Sequence, residues 1–302
     1  MRPAGLSHIP GQRAHGKENT TMATTTSTSA YSFRPDSIVP VSEAVPDALA
    51  LDQRVTTLAG AIEGDAPAVR LPIIGKDPEA TVTAEGQTIL ESAPSLSEII
   101  VRTVKVGLVT EVSREAYESA QTAGSITNAA RRAVTRKLDD LLINKRTETT
   151  SGAGIAWTHG INEITGAYGT DPILDGIAAA ADHDGTPTAI LLNFSTWAQL
   201  LKVKGADGRG LITPEVANAP AAGLFGVPII LNSAVAADTA LVVDASTIVT
   251  ALSDIRADTN DGDAFRRDSL LVRVVGRIGV GIINPAKISK ITFKTTDTKR
   301  TR

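Results

Sequence analysis

The 302-residue sequence has no cysteine, few aromatic residues and no apolar run typical of a membrane span. Without cysteine it cannot form a disulfide, a thiolate nucleophile or a cysteine metal site, so stability must come from packing or assembly. Aromatic residues make up 3% of the chain, which argues against a stacking platform for single-stranded nucleic acid. The longest uncharged stretch, Val216 to Ala237, contains two prolines and several polar residues, which excludes a membrane helix.

The sequence also has no excess of basic charge. Thirty Lys and Arg residues stand against 33 Asp and Glu residues, a formal net charge of −3. A chain-wide electrostatic footprint for nucleic acid is therefore missing. The 42% hydrophobic and 21% charged residues are ordinary for a soluble globular chain, and the length suits two domains of roughly 150 residues.

Motifs for catalysis and cofactor binding are missing from the sequence. There is no Gly-x-Ser-x-Gly nucleophile motif, and the glycines near Gly208 match neither a Walker loop nor a dinucleotide fingerprint. Two of the four histidines lie in the first 15 residues, and no histidine or carboxylate set has metal-ligand spacing. We therefore predict no enzyme, no cofactor and no metal. A soluble α/β enzyme with its site between Ala153 and Gly226 remains a remote alternative.

The two ends of the chain are polar. The first 28 residues have almost no apolar anchors, and Met22 is an alternative start. Three prolines between Tyr31 and Pro46 favour an extended arm over a helix. From Lys290 onward the chain carries five basic residues and one acid, and its last residues are predicted to fray.

Two strands are predicted before the first long helix. Residues 67–74 are apolar and framed by prolines, which indicates an edge strand, and a turn cluster at 75–78 follows. Residues 81–94 are polar and contain several helix and strand breakers. Even-numbered positions from Ile100 to Val112 are mostly apolar, whereas several odd-numbered ones are polar, which predicts a long strand with one buried face.

The clearest helix is predicted from Ser125 to Arg146. Alanine, leucine, valine and isoleucine residues cover one broad side at helical spacing. The other side carries polar residues: Arg132, Thr135, Arg136, Asp139 and Arg146.

Shorter elements follow and predict a compact α+β or α/β unit. They comprise a helix over 172–181, a strand over 188–192, a helix over 195–203 entered from Asn193, and strands over 227–231 and 240–243. A turn at Asn260 to Gly262 then precedes alternating apolar residues from Leu270 to Val280. This pattern predicts a hairpin with a long second strand.

Four stretches, taken in order, resemble stretches of one known family. Leu96 to Ser119 resembles a strand that leads to a Val-Ser-x-Glu corner before a long helix. Ala189 to Ile212 resembles a strand, a helix and a Gly-Arg-Gly-Leu turn. Leu224 to Asn232 and Leu270 to Pro285 resemble two further strands. The family is the major capsid proteins of tailed double-stranded DNA bacteriophages, with the Hong Kong 97-type fold, and the resemblance covers about Val39 to Phe293.

The resemblance implies an α+β fold of six segments. They are a flexible N-terminal arm (1–46), a connector (47–66), an extended β-hairpin loop (67–95), a peripheral domain with a long spine helix (96–150), an axial domain (151–250), and peripheral return strands with a C-terminal tail (251–302). The segment before the hairpin is too short for the large scaffold domain of some relatives, so either a separate scaffolding protein acts or the sequence is not that of a precursor.

The resemblance also implies three sets of candidate site residues, of which the extended loop would reach a neighbouring subunit. In the extended loop these are Ile74, Lys76, Glu79, Glu85, Ile89 and Glu91. On the polar face of the spine helix they are Arg132, Arg136, Asp139 and Arg146, and in the axial-domain turn they are Gly205, Asp207 and Arg209. Some relatives crosslink a lysine to an asparagine. Lys76 and Asn284 lie in suitable regions, but no local motif matches, so no crosslink is predicted.

The implied function is that of a structural major capsid protein. It would self-assemble into pentamers and hexamers that form an icosahedral shell around phage double-stranded DNA, with assembly in the host bacterial cytoplasm and a final place in the virion. Its partners would be other copies, portal and scaffolding proteins, DNA bound without sequence preference, and a decoration protein, but no membrane. An encapsulin-type nanocompartment shell is the first alternative. The residues support assembly independently, because a breaker-rich hairpin and a proline-rich arm need surfaces from other copies.

Overall fold

The computed structural model describes residues 48–61, 68–118, 120–146, 152–204, 208, 210, 212 and 223–294. The predicted N-terminal arm and the last eight residues lie outside this part of the chain. The described residues form four helices and twelve strands. The helices are α1 (Arg114–Glu118), α2 (Ala120–Asn144), α3 (Asp171–Ala181) and α4 (Phe194–Leu201). The strands are β1 (Thr57–Ala61), β2 (Ala68–Lys76), β3 (Ser95–Ser113), β4 (Asn162–Ala167), β5 (Ala189–Leu192), β6 (Gly223–Leu224), β7 (Val227–Leu231), β8 (Thr239–Val243), β9 (Ile248–Leu252), β10 (Arg256–Asn260), β11 (Ser269–Ile282) and β12 (Ser289–Lys294).

The first sheet has the strand order β1-β9-β11-β3-β2, and β10 pairs with β11. Strand β1 runs parallel to β9, whereas the other pairs are antiparallel. The pairing of β3 with β11 extends without a register shift from Ser113 opposite Ser269 to Thr103 opposite Gly279. This long ladder joins the two longest strands of the sheet.

Helix α2 packs on the first sheet. Leu138 and Leu142 are completely buried, in one core with Val272 and Val274 of β11. The helix packs on the strand at ordinary van der Waals distance near Gly276, where a Cβ would lie 3.5 to 3.7 Å from side chains that include Val134 and Leu138.

The second sheet has the strand order β4-β12-β8-β5-β7-β6. The β4–β12 and β5–β7 pairs are parallel, and the others are antiparallel. Helix α3 packs on this sheet at close range. A Cβ on Gly176 would lie 2.8 Å from Cδ1 of Ile291, so a larger residue there would force the Ile291 side chain to shift.

Several predicted elements are confirmed, with their local causes. Helix α3 begins at Asp171 and has Pro172 in its first turn. Helix α4 follows Asn193, whose side chain caps it by accepting a hydrogen bond from the Ser195 N–H at 3.0 Å. Strands β10 and β11 form the predicted hairpin, although eight residues, not a tight turn, connect them. The spine helix begins at Ala120, five residues earlier than predicted.

The predicted single buried face of β3 is wrong for the first half of the strand. Val112 is buried and Leu108 is half-buried, as predicted, but Ile100 is 42% exposed and Val101 is completely buried. Helix α2 covers the even-numbered face only near the second half of the strand. In the first half the odd-numbered face is the covered one, because Val101 packs over Gly279 and Gly281 of β11.

Two predicted segments are divided differently in the structure. The connector over 47–66 contributes β1, which extends the first sheet by pairing with β9. Segment 251–302 does not stay in one sheet: β10 and β11 belong to the first, but β12 lies in the second, between β4 and β8. The sequence pattern of a strand indicates which of its side chains are buried. It does not indicate which of the two sheets the strand joins.

Candidate intersubunit surfaces

The hairpin of β2 and β3 carries the predicted extended loop. An ion pair between Arg70 and Glu98, 2.6 Å long, crosses the two strands. Beyond the strands, residues 77–94 form neither helix nor strand. The backbone N–H of Glu79 donates a hydrogen bond to Oγ of Ser92 at 2.7 Å, which joins the two sides of the loop. The loop therefore projects from the end of the hairpin, and few contacts hold it in place.

Apolar side chains in this loop are exposed to solvent. Val82 is fully exposed, and Ile89 and Leu90 expose 75% and 70% of their surface. Full burial of one such side chain stabilises a structure by about 1.5–3 kcal/mol. Several apolar residues exposed on one projecting segment are typical of a surface that binds a partner.

The six predicted loop residues all lie on this hairpin. Ile74 is 58% exposed near the end of β2, and Lys76 is the last residue of that strand. Ile89 is exposed in the loop, as are three carboxylates: Glu79, Glu85 and Glu91. Residues 77–94 carry four acids and no lysine or arginine. The loop surface is therefore both apolar and acidic, while its contact with a neighbouring subunit stays a prediction.

The predicted polar face of the spine helix is only partly at the surface. Arg136 is exposed and Arg132 is half-buried. Lys137 forms an ion pair with Asp140 at 2.6 Å, one helical turn further along. These residues form a charged surface on α2.

Asp139 was predicted on the same face, and this prediction is wrong because its side chain is buried. Its Oδ1 accepts a hydrogen bond from the backbone N–H of Leu49 at 2.7 Å, and its Oδ2 accepts one from Nδ2 of Asn232 at 2.9 Å. The turn around Leu49 folds over the helix and covers the carboxyl group. Burial raises the pKa of Asp139 above its ordinary value, although both hydrogen bonds oppose this shift.

Asp139 thereby joins three parts of the chain that are distant in sequence. Leu49 precedes β1, Asp139 lies in α2, and Asn232 follows β7 of the second sheet. Oδ1 of Asn232 accepts a hydrogen bond from the Ala234 N–H at 2.8 Å, which turns its Nδ2 towards the carboxylate. No sequence signal distinguishes Asp139 from the exposed polar residues of the helix.

Arg146 lies beyond the end of α2 and not on its polar face. Its guanidinium carbon is 4.0 Å from the centroid of the Trp157 ring. Nζ of Lys290 is 4.7 Å from the same centroid. No sequence pattern indicates this cluster, because Lys290 is more than 130 residues away from Trp157.

The predicted axial-domain turn falls largely outside the described residues. Gly205, Asp207 and Arg209 cannot be placed, whereas Lys204 and Gly210 on either side form an antiparallel bridge. In the part of the chain that is described, no group of three metal-ligating side chains comes together. No helix in that part combines the length and apolar character needed to cross a membrane.

Solved capsid structures share this architecture. The capsid of an empty GTA particle matches with a TM-score of 0.66 and 18% identity, over 85% of this chain and 94% of that one. A structure from Mycobacterium phage Bobi has a TM-score of 0.66 and 15% identity, over 85% and 93% of the two chains. For Microbacterium phage Oxtober96 the values are 0.66 and 16%, over 86% and 94%. The two-sheet α and β architecture is therefore the Hong Kong 97-like capsid fold.

The sequence matches the Phage capsid family over residues 18–293, and the chain belongs to this family. No curated protein matches it. Family and fold together define a structural major capsid protein of an icosahedral shell.

Proposed function

We propose that copies of this chain assemble into pentamers and hexamers, and that the resulting shell encloses phage double-stranded DNA. The observation that carries this proposal is the β2–β3 hairpin. Its loop exposes Val82, Ile89 and Leu90 and has no core of its own. A loop of this kind gains stability only when another surface covers it, and in a shell of identical chains that surface belongs to a neighbouring copy.

The arrangement of the two sheets supports a division of roles. The first sheet with α2 would be the peripheral domain, and the second sheet would be the axial domain. Strand β12 ties the end of the chain into the second sheet. The shell would assemble in the bacterial cytoplasm with the help of portal and scaffolding proteins and become part of the virion. A decoration protein would add to the outside, and no catalytic activity is expected.

A triple substitution in the loop tests this proposal. Val82→Ser, Ile89→Ser and Leu90→Ser together remove its exposed apolar side chains. Because these side chains touch little within the subunit, we expect the thermal unfolding temperature of the subunit to stay unchanged. We expect closed particles to disappear in negative-stain electron microscopy and analytical ultracentrifugation, since each contact loses several kcal/mol, at about 1.5–3 kcal/mol per side chain.

The matched control changes three polar residues of the same loop. Thr81→Ser, Thr83→Ser and Thr88→Ser keep its apolar content and should leave particle formation unaffected. Normal particles from the apolar triple variant would show that the loop does not bind a neighbouring copy.

The nucleic acid content of purified particles separates the two shell hypotheses. A DNA-filled virion shell has an ultraviolet absorbance spectrum dominated by nucleic acid. It also yields double-stranded DNA that is protected from added nuclease. A nanocompartment would instead contain a co-purifying enzyme, and that result would overturn the DNA part of the proposal.

A further inference from the structure

A cluster of basic side chains surrounds Trp157 beside strand β12 of the second sheet. Arg146 and Lys290 both lie over its ring, at 4.0 and 4.7 Å from the centroid. The ring is 44% exposed, although the chain has only two tryptophans and buries the other, Trp197, almost completely. A cation over an aromatic face is attracted electrostatically by the quadrupole of the ring. We call Arg146, Lys290, Lys294 and Trp157 the basic patch.

The cations of the basic patch have no acidic partner in the part of the chain that the structure describes. Neither Arg146, Lys290 nor Lys294 has a carboxylate within ion-pair distance there, and Lys290 donates only to the backbone carbonyl of Ala156 at 3.2 Å. By contrast, Arg70 of the first sheet and Lys137 of α2 are each ion-paired. Unpaired cations close together repel each other, so an anion would stabilise this surface.

The alternation of β12 places Lys290 and Lys294 on the same face of the strand, where Lys290 is half-buried and Lys294 is exposed. Ser289, Ile291 and Phe293 point into the protein, and the even-numbered residues of the strand point the other way. Lys290 and Lys294 therefore share this face with the hydroxyl group of Thr292. The acid on the same face is Glu163, which lies opposite Lys290 in the strand register without forming an ion pair.

The sequence that follows β12 is also basic. Residues 295–302, which lie outside the described part of the chain, contain three basic residues and one acid. The chain as a whole has a net charge of −3. A cluster of cations on a chain of net negative charge is typical of a surface that contacts nucleic acid phosphates.

We propose that the basic patch binds the phosphate backbone of nucleic acid, without reading its sequence. The proposal rests on the proposed function, in which the shell encloses DNA, and adds which surface of the subunit meets it. Arg146 and Lys290 would each contact a phosphate, and Trp157 would keep both cations extended towards the ligand. This side of the second sheet would then face the interior of the shell.

Binding of a fluorescent 30-base-pair duplex of random sequence to the full-length, unassembled protein tests the proposal. The double variant Arg146→Gln/Lys290→Gln removes the two cations. Each phosphate contact contributes about 0.9 to the slope of log K against log salt, so the slope should fall by about 1.8 and the affinity by about tenfold or more at low salt. Duplex binding should also change the tryptophan fluorescence of the wild type but not of Trp157→Phe, which retains only Trp197.

The matched control is Arg70→Gln/Lys137→Gln, which lowers the net charge equally but removes ion-paired cations elsewhere. It should keep the salt slope of the wild type. Equal losses in both double variants would mean that only total charge matters and would overturn the proposal, as would an unchanged slope in Arg146→Gln/Lys290→Gln.

A further arm uses a peptide of residues 77–94, the acidic loop of a second copy. If this peptide changes the Trp157 fluorescence and the duplex does not, the basic patch is an intersubunit surface, which also overturns the proposal. Particle formation by Arg146→Gln/Lys290→Gln is scored separately by electron microscopy. Normal shells from a variant that has lost DNA binding would support the proposal, and shells with unchanged DNA binding would refute it while leaving the proposed function intact.

Discussion

The buried hydrogen bonds of Asp139 lead to a prediction that can be worked out atom by atom. In Asp139→Asn, one side-chain oxygen still accepts from the Leu49 N–H, but the new NH₂ group faces the NH₂ group of Asn232. Asn232 cannot rotate freely because its Oδ1 already accepts from the Ala234 N–H. A hydrogen bond to a charged group is worth about 1.5–3 kcal/mol, and the variant leaves a buried donor unsatisfied. Relief from burying a charge offsets part of this loss, so we expect destabilisation by about 1–3 kcal/mol.

Exchanging the two side chains should restore the hydrogen bonds. In Asp139→Asn/Asn232→Asp, the amide at 139 donates to the carboxylate at 232, while its oxygen still accepts from the Leu49 N–H. The other oxygen at 232 can accept from the Ala234 N–H. The double variant should therefore be more stable than the sum of the single variants predicts, by about 1–2 kcal/mol in a double-mutant cycle.

Urea unfolding of the unassembled subunit, followed by tryptophan fluorescence, measures these free energies. The pH dependence gives a second readout. Because burial raises the pKa of Asp139 in the folded state, the folded chain binds its proton more tightly than the unfolded chain does. The stability that this proton contributes is present below the ordinary pKa and lost as the pH rises through the raised pKa. In Asp139→Asn, this part of the pH dependence of the free energy of unfolding should be absent. Additive single effects would refute the direct bond between Asp139 and Asn232.

Two further substitutions test packing in the sheets. Gly279→Ala should destabilise the subunit by about 1–3 kcal/mol, because the new Cβ would lie 2.7 Å from Cγ1 of Val101; Gly276→Ala, whose nearest contact is 3.5 Å, is the matched control and should change stability by less than about 1 kcal/mol. Equal effects in thermal unfolding would contradict the close approach at Gly279. Tyr168→Phe should cost about 1–2 kcal/mol through loss of the hydrogen bond to Asp238. Burial and that bond raise the pKa of Tyr168, so an ultraviolet absorbance titration should show one tyrosine that ionises above the ordinary range, and its absence would contradict the contact.

Elements governed by nearby residues could be predicted from the sequence. Pro172 and Asn193 mark the starts of α3 and α4 because first-turn prolines and asparagine caps act within one helical turn. The β10–β11 hairpin follows from alternation on both sides of a turn signal. The extended loop over 67–95 was instead implied by the family resemblance.

Features that depend on distant contacts could not be predicted. The burial of Asp139 results from Leu49 and Asn232, which lie 90 and 93 residues away. The change of buried face along β3 depends on Val101 meeting the glycines of β11 across the sheet. For the same reason the basic patch escaped sequence analysis, because Arg146 and Lys290 reach Trp157 only after the second sheet has formed.

Cryo-electron microscopy of assembled protein tests the central claim most directly. The account predicts closed icosahedral particles in which residues 77–94 of each copy lie on a neighbouring copy and bury Val82, Ile89 and Leu90. A chain that stays monomeric under all assembly conditions, or particles in which this loop contacts only its own subunit, would contradict it.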